Sequence, residues 1–255
     1  MSELIQVQFI VNNQNINIQV PPNQKLMDFL RDDLGLVSVK NGCATGHCGT
    51  CTVIINGKAE RSCLVLMKRI NGSVVETIEN LTPAEGLHPL QYSFITENAV
   101  QCGFCTPGML LASKTLLDQN PSPNEGEIRQ ALKNNLCRCT GYTSIVSAVK
   151  NAGRMVAQGI EVVPLEELHQ PSSKYGQMGV ENPDKHAIDG VTGRIKYADD
   201  LNPDNLLIGK IKYADLPSAR IVSINTETIL RMPGVHQVLT GDDVAGSNLV
   251  GILRR

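Results

Sequence analysis

Eight cysteines carry the chemistry of this 255-residue sequence. Cys43, Cys48, Cys51 and Cys63 are separated by four, two and eleven residues, and the first three crowd into the loop NGCATGHCGTC. Three thiolates on one glycine-rich loop, with a fourth further along, suit a 2Fe-2S cluster. Gly42, Gly46 and Gly49 agree with that use, because a loop wrapped around an inorganic core needs unusual backbone angles and close approach of its N–H groups. The competing reading is a structural zinc ion, which takes four thiolates tetrahedrally, usually from knuckles in pairs. The other four thiols are Cys102 and Cys105 in QCGFCTPG, and Cys137 and Cys139 in NLCRCTGY. Taken alone, a CxxC with a distant CxC would serve zinc or a thioredoxin-like redox pair as well as a cluster. A disulfide between Cys137 and Cys139 would close a very small, strained ring.

Context bears on the second set. Thr106 is a good N-cap with Pro107 in the first helical position, and another helix starts shortly after Cys139. Both helix N-termini would point at one site, where their partial positive charge suits a dianionic oxidised cluster with four thiolates. Arg138 either adds a cation there or is a solvated surface charge. Two sets of four use every cysteine. His47 lies in a loop already supplied with thiols and reads as a polar loop residue, while His88, His169, His186 and His236 show no ligand spacing. Neither GxGxxG after a strand nor GxxxxGK[ST] occurs, so no nucleotide or phosphate cradle is indicated. Asp199 with Asp200, and Asp242 with Asp243, read as solvated turn residues.

The elements that must hold these thiols are legible in outline. Ile5, Val7, Phe9 and Val11 alternate, a polar turn at Asn12 to Asn15 follows, and Ile16, Ile18 and Val20 complete a half-buried hairpin. Leu26, Phe29, Leu30 and Leu34 recur at helical spacing, with Gly35 as the stop. Beyond the cysteine loop come an apolar run Thr52 to Ile55, an Asn56-Gly57 hairpin turn and a strand near Val74 to Ile78. Helices are expected between Pro89 and Asn98, from Thr106 to before Pro121, from a Ser122/Glu125 capping box to about Asn134, and through Ile145, Val149, Ala152 and Val156 to near Gly159. Residues 160–185 lose periodicity and read as a linker. Strand-like runs at Leu206 to Tyr213, Arg220 to Ile224 and Val235 to Leu239, with a helical stretch near Thr226 to Arg231, suggest a further α/β piece.

Composition narrows the class. A net charge of −2 and 42% apolar residues describe an ordinary folded protein without a large basic surface, so no nucleic-acid partner is expected. The N-terminus lacks the basic and apolar regions of a leader, and no run of about 18 apolar residues could span a bilayer. A cytoplasmic protein without a membrane partner is the expectation, and in a reducing compartment the thiols are metal ligands or catalytic groups rather than disulfides.

GCATGHCGTC, QCGFCTPGML and CRCTGY, in that order, resemble the iron-sulfur portion of the molybdenum hydroxylases, the xanthine dehydrogenase and aldehyde oxidoreductase family. The resemblance covers residues 1 to about 158. DGVTGRIKYADDL and RMPGVHQVLTGDDV resemble the start of the molybdenum-binding portion, its hammerhead domain. The order, without a flavin domain between, is similar to single-chain, flavin-free aldehyde oxidoreductases. The resemblance implies an α+β chain: a β-grasp, ferredoxin-like 2Fe-2S domain over 1–80, a four-helix-bundle 2Fe-2S domain over 81–159, a linker over 160–185 and a partial α/β hammerhead domain over 186–255. It implies that Cys43, Cys48, Cys51 and Cys63 hold one cluster and Cys102, Cys105, Cys137 and Cys139 the other, with Gln101 and Cys139 contacting a molybdopterin cofactor. Electrons would pass from the pterin through the second cluster, then the first, to an external acceptor such as a ferredoxin, a flavodoxin or a flavin subunit. The remaining molybdenum-binding domain or subunit is the implied partner, a homodimer is compatible, and the oxidised substrate would be an aldehyde or a purine or other N-heterocycle. Because the sequence stops at Arg255, before the family's catalytic glutamate, this chain alone is expected to lack the catalytic centre and to contribute no catalytic residue.

Overall fold

The computed structural model describes residues 4–169, 184, 186–201 and 203–246. Strands β1 (Ile5–Val11) and β2 (Gln14–Val20) form the expected hairpin, with Val11 opposite Gln14 across a two-residue turn in which Asn12 and Asn13 both take positive φ. That turn matches the right-handed twist of the strands it joins. Strands β3 (Thr52–Ile55) and β4 (Lys58–Arg61) form a second hairpin around Asn56-Gly57, and β5 (Val74–Glu76) lies between the two. The sheet order is β2-β1-β5-β3-β4, with β1 and β5 parallel and the other neighbours antiparallel. Helix α1 starts at Leu26–Asp28 and widens into a π-helical turn over Phe29–Asp33. It lays Leu26, Phe29 and Leu30 on the sheet against Val7, Phe9 and Val53, and Gly35 ends it at φ +69°.

A short helix α2 (Ile78–Leu81) leads into four helices: α3 (Pro89–Thr96), α4 (Thr106–Gln119), α5 (Glu125–Leu132) and α6 (Thr143–Ala157). Leu90, Phe94, Met109, Leu110, Ile128, Ile145 and Val149 fill their core. Two starts differ from expectation. Cys105 rather than Thr106 precedes α4, and no side-chain cap is made there, since Thr106 is itself inside the helix and buried. The box that opens α5 is Asn124 with Glu127, at 3.0 and 2.7 Å, two residues beyond the Ser122/Glu125 pair. Glu125 instead holds Arg129 one turn on at 2.8 Å.

The first part of the expected linker is tied down: Leu87 and Val163 exchange two backbone bonds of 2.8 Å, and a 3-10 turn covers Leu165–His169. The stretch 170–183 lies outside the described residues. Residues 186–201 pack on the helical domain through α7 (Ala187–Val191), where buried Gln91 donates to the Val191 carbonyl at 3.0 Å. The chain divides into two units, 1–202 and 203–255.

In the second unit, described over 203–246, α8 (Glu227–Leu230) stands where a helical stretch is expected. The three strand-like runs are not strands among the described residues. Ile208, Ile211, Ile221 and Val222 are exposed there. An alternating run becomes a strand only when a neighbouring strand takes its N–H and C=O groups, and among the described residues no strand pairs with these runs. Among the described residues no helix is long and apolar enough to cross a membrane.

Candidate functional site

The loop between α1 and β3 carries Cys43, Cys48 and Cys51, and the turn after β4 adds Cys63. Cys51 and Cys63 are buried; Cys43 and Cys48 are half-buried. The Cys43 sulfur accepts backbone N–H bonds from Thr45 (3.5 Å), His47 (3.4 Å) and Cys48 (3.5 Å). Together with the Thr45 hydroxyl, the strongest influence, these donors pull its thiol down to about 5. Burial pushes the Cys51 thiol up to about 12, so that site waits for a cation before it releases its proton. Lys25 Nζ donates to the Ala44 carbonyl at 3.1 Å and Arg61 Nη1 to the Gly46 carbonyl at 2.6 Å, so two cations frame the loop. The His47 ring meets Thr45 Oγ1 at 3.1 Å, which agrees with a polar loop role.

Cys102 and Cys105 end at the start of α4, and Cys137 and Cys139 stand before α6. The Cys102 and Cys139 sulfurs are 3.5 Å apart and both exposed; Cys105 and Cys137 contact each other one layer deeper. Burial raises the Cys105 and Cys102 thiols. Burial also acts on Cys137, but the Thr140 hydroxyl at 3.3 Å and the nearby backbone N–H groups outweigh it and its thiol is lowered. Tyr142 takes φ +71°, rare for a bulky side chain. Its hydroxyl accepts from the Cys137 N–H at 3.0 Å and donates to the Asn135 carbonyl at 3.2 Å, fastening the CRC turn. Gln101 and Arg138 are exposed beside Cys102 and Cys139.

The donor chemistry fits two two-iron clusters. Each such cluster needs two thiolates on each of two irons. The side chains of Cys51 and Cys63, of Cys102 and Cys139, and of Cys105 and Cys137 meet in pairs, and the Cys48 N–H donates to the Cys43 sulfur.

The two cysteine loops are joined directly. The Leu136 N–H donates to the Cys48 carbonyl at 2.8 Å, and buried Asn135 Nδ2 donates to the Gly49 carbonyl at 2.9 Å and to Thr52 Oγ1 at 3.1 Å. Gly49, at φ +69°, is pinched there: a Cβ would lie 2.2 Å from the Asn134 carbonyl oxygen. On the other side, a Cβ at Gly108 of α4 would meet the Gly49 carbonyl oxygen at 2.5 Å.

A second junction was not legible in the sequence. Asp200 is buried, its side chain 2% exposed, and bonds Lys40 Nζ at 2.7 Å and Arg31 Nη2 at 2.8 Å. This corrects its reading as a solvated turn residue; Asp199, 75% exposed, keeps that reading. Burial works against the Asp200 carboxylate, yet Lys40, the Tyr197 N–H and Arg31 hold its pKa below the usual range. Burial lowers Lys40 against the opposing pull of Asp200. Lys40 also donates to the Ile195 carbonyl at 2.9 Å and lies 4.7 Å from the Tyr197 ring centroid. These partners are separated by some 160 residues in sequence, so only the fold brings them together.

Residues 9–73 match the 2Fe-2S iron-sulfur cluster binding domain, 77–150 the 2Fe-2S binding domain, and 192–253 the aldehyde oxidase and xanthine dehydrogenase a/b hammerhead domain. Aldehyde oxidoreductase of Megalodesulfovibrio gigas is 38% identical over 254 residues, covering 97% of this chain. The small FeS subunit of nicotinate dehydrogenase from Eubacterium barkeri is 45% identical over 148 residues, 58% of this chain and 94% of that subunit. The crystal structure of the Desulfovibrio desulfuricans aldehyde oxidoreductase superposes with a TM-score of 0.82 at 37% identity over 96% of this chain. This chain spans 28% of the length of each of these two aldehyde oxidoreductases.

Proposed function

The chain belongs to the molybdenum hydroxylases, the xanthine dehydrogenase and aldehyde oxidoreductase family, as their two 2Fe-2S domains with part of a hammerhead domain, and on that premise we propose that it conducts electrons out of an aldehyde-oxidising enzyme. When bound, each cluster would carry one electron at a time and a molybdopterin would supply the site that takes two from the substrate. The observation that carries the reading is the joining of two sets of paired thiols through the Leu136–Cys48 hydrogen bond.

In this reading Cys102, Cys105, Cys137 and Cys139 hold the entry cluster. Gln101 and Cys139, on the exposed rim of that site, meet the pterin on the remaining molybdenum-binding portion. Leu136, next to Cys137, links this site to Cys48 of the exit cluster, held by Cys43, Cys48, Cys51 and Cys63. The exposed loop through Thr45 and His47 then presents that cluster to an acceptor protein, a ferredoxin, a flavodoxin or a flavin subunit. The aldehyde is favoured over an N-heterocycle because two cluster domains and a hammerhead segment share one chain, aligned almost throughout with aldehyde oxidoreductase.

Metal analysis with paired variants tests the reading. Purified protein should be brown, bleach with dithionite and hold about four irons per chain. Cys63→Ser and Cys137→Ser should each remove one of two distinguishable electron paramagnetic resonance signals. A colourless protein carrying zinc would overturn it.

A further inference from the structure

Residues 195–200 form a strap whose far end is clamped by Asp200 between Arg31 and Lys40, and whose middle presses on the loop carrying Cys102. The Tyr197 hydroxyl donates to the Cys102 carbonyl at 2.6 Å, and its ring meets Phe104 edge-on at a centroid distance of 5.0 Å. Gly103 takes φ +80° between them, and a Cβ there would lie 2.8 Å from Ile195 Cδ1 and 3.0 Å from the Tyr197 oxygen. Carbonyl, glycine and ring of three successive residues, 102 to 104, are thus each set by Ile195 or Tyr197.

We infer that Tyr197 is a positioning residue for the second cluster: by fixing the 102–104 loop it sets where the Cys102 sulfur stands, with Asp200 as the latch that keeps the strap down. The strap acts on one cluster only at the loop it touches. Burial, solvent exposure and the placing of a ligand sulfur set the reduction potential of its cluster, so a loop released at Cys102 shifts that potential. The inference deepens the two-cluster reading and rests on it. Arg31 and Lys40 belong to the first domain while Cys102 belongs to the helical one, so the same strap ties the orientation of the second site to the presence of the first.

Tyr197→Phe in the full chain tests the inference, since it keeps the ring and removes only the hydroxyl. Redox titration followed by electron paramagnetic resonance should show the potential of the second cluster shifted and that of the first unmoved. A loosened bond worth about fivefold in the reduction equilibrium converts to about 40 mV at 59 mV per decade for one electron. In the metal-free chain, amide hydrogen exchange at residues 102–104 should quicken about fivefold on the same scale. Asp200→Asn should move both readouts the same way, and the exposed neighbour Asp199→Asn should move neither. An unmoved second potential with unchanged exchange in Tyr197→Phe overturns the inference, even if the melting temperature falls. Wild-type protein without four irons would instead overturn the two-cluster reading, and the exchange measurement would still decide whether Tyr197 holds the loop.

Discussion

Substituting Gly49 by alanine should prise the two cysteine loops apart, and the size of the effect follows from two separable terms. The first is conformational: a residue with a Cβ at φ +69° costs about 1–2 kcal/mol. The second is steric. The added carbon would sit 2.2 Å from the Asn134 carbonyl oxygen and 2.9 Å from the Asn135 Cα, both main-chain atoms that cannot swing aside as a side chain can. Overpacking of this kind costs about 1–3 kcal/mol. Gly57 supplies the control, because it has φ +76° and nothing within 4 Å of its Cβ position. Gly57→Ala therefore carries the first term alone.

Urea denaturation of both variants should give a loss of about 1–2 kcal/mol for Gly57→Ala and about 2–5 kcal/mol for Gly49→Ala. The larger figure is a substantial part of the stability of an ordinary domain, about 5–15 kcal/mol. Relief of the overlap must also lengthen the Leu136–Cys48 and Asn135–Gly49 bonds, so electron exchange between the clusters should slow in Gly49→Ala and stay as in the wild type in Gly57→Ala. Equal destabilisation by the two substitutions would refute the reasoning, since it would mean that the loops part at no cost.

Two other predictions concern charge. His88 accepts from the Leu90 N–H at the head of α3, and burial, helped by Lys114, lowers it to about 4. Its folded pKa lies below the unfolded 6.5, so the stability it contributes is present above pH 6.5 and is lost as pH falls toward 4; His88→Asn, which keeps a capping acceptor, should remove a pH-dependent loss of up to about 3 kcal/mol in denaturation at pH 7 against pH 4. Lys40→Met leaves Asp200 buried with one cation instead of two and should cost about 3 kcal/mol in the same assay, whereas Asp199→Asn, at a 75% exposed carboxylate, should cost nearly nothing.

Local patterns foretold most of the first 160 residues. The alternation of Val7, Phe9 and Val11, the Asn-Gly turn and the periodic stripe ending in Val149 and Ala152 each state a burial face within a few residues, and the structure buries those faces. The cysteine spacings likewise named which thiols share a loop. Capping was less legible, because Ser122/Glu125 and Asn124/Glu127 satisfy the same pattern and only the competing Glu125–Arg129 pair separates them. The strand-like runs of the second unit differ from expectation for a related reason: alternation reports a half-buried face, but a strand also needs a neighbour. Lys40, Asp200 and Tyr197 carry no local signature at all. A buried ion pair between residues 160 apart is a property of the folded chain, and Asp199 and Asp200 differ in fate only through which way the strap turns.

The same separation sets an order of events during synthesis. Arg31 and Lys40 leave the ribosome about 160 residues before the carboxylate that neutralises them, an interval of about 8–32 s at ordinary translation speeds of about 5–20 residues per second. All eight cysteines emerge within that time, while the position to be taken by Asp200 stands empty beside two cations. Closing so long a loop carries an entropic cost of about 4–5 kcal/mol, which favours this contact forming after the nearer ones. The strap is thus timed, by its place in the gene, to shut on cysteine loops that were made before it.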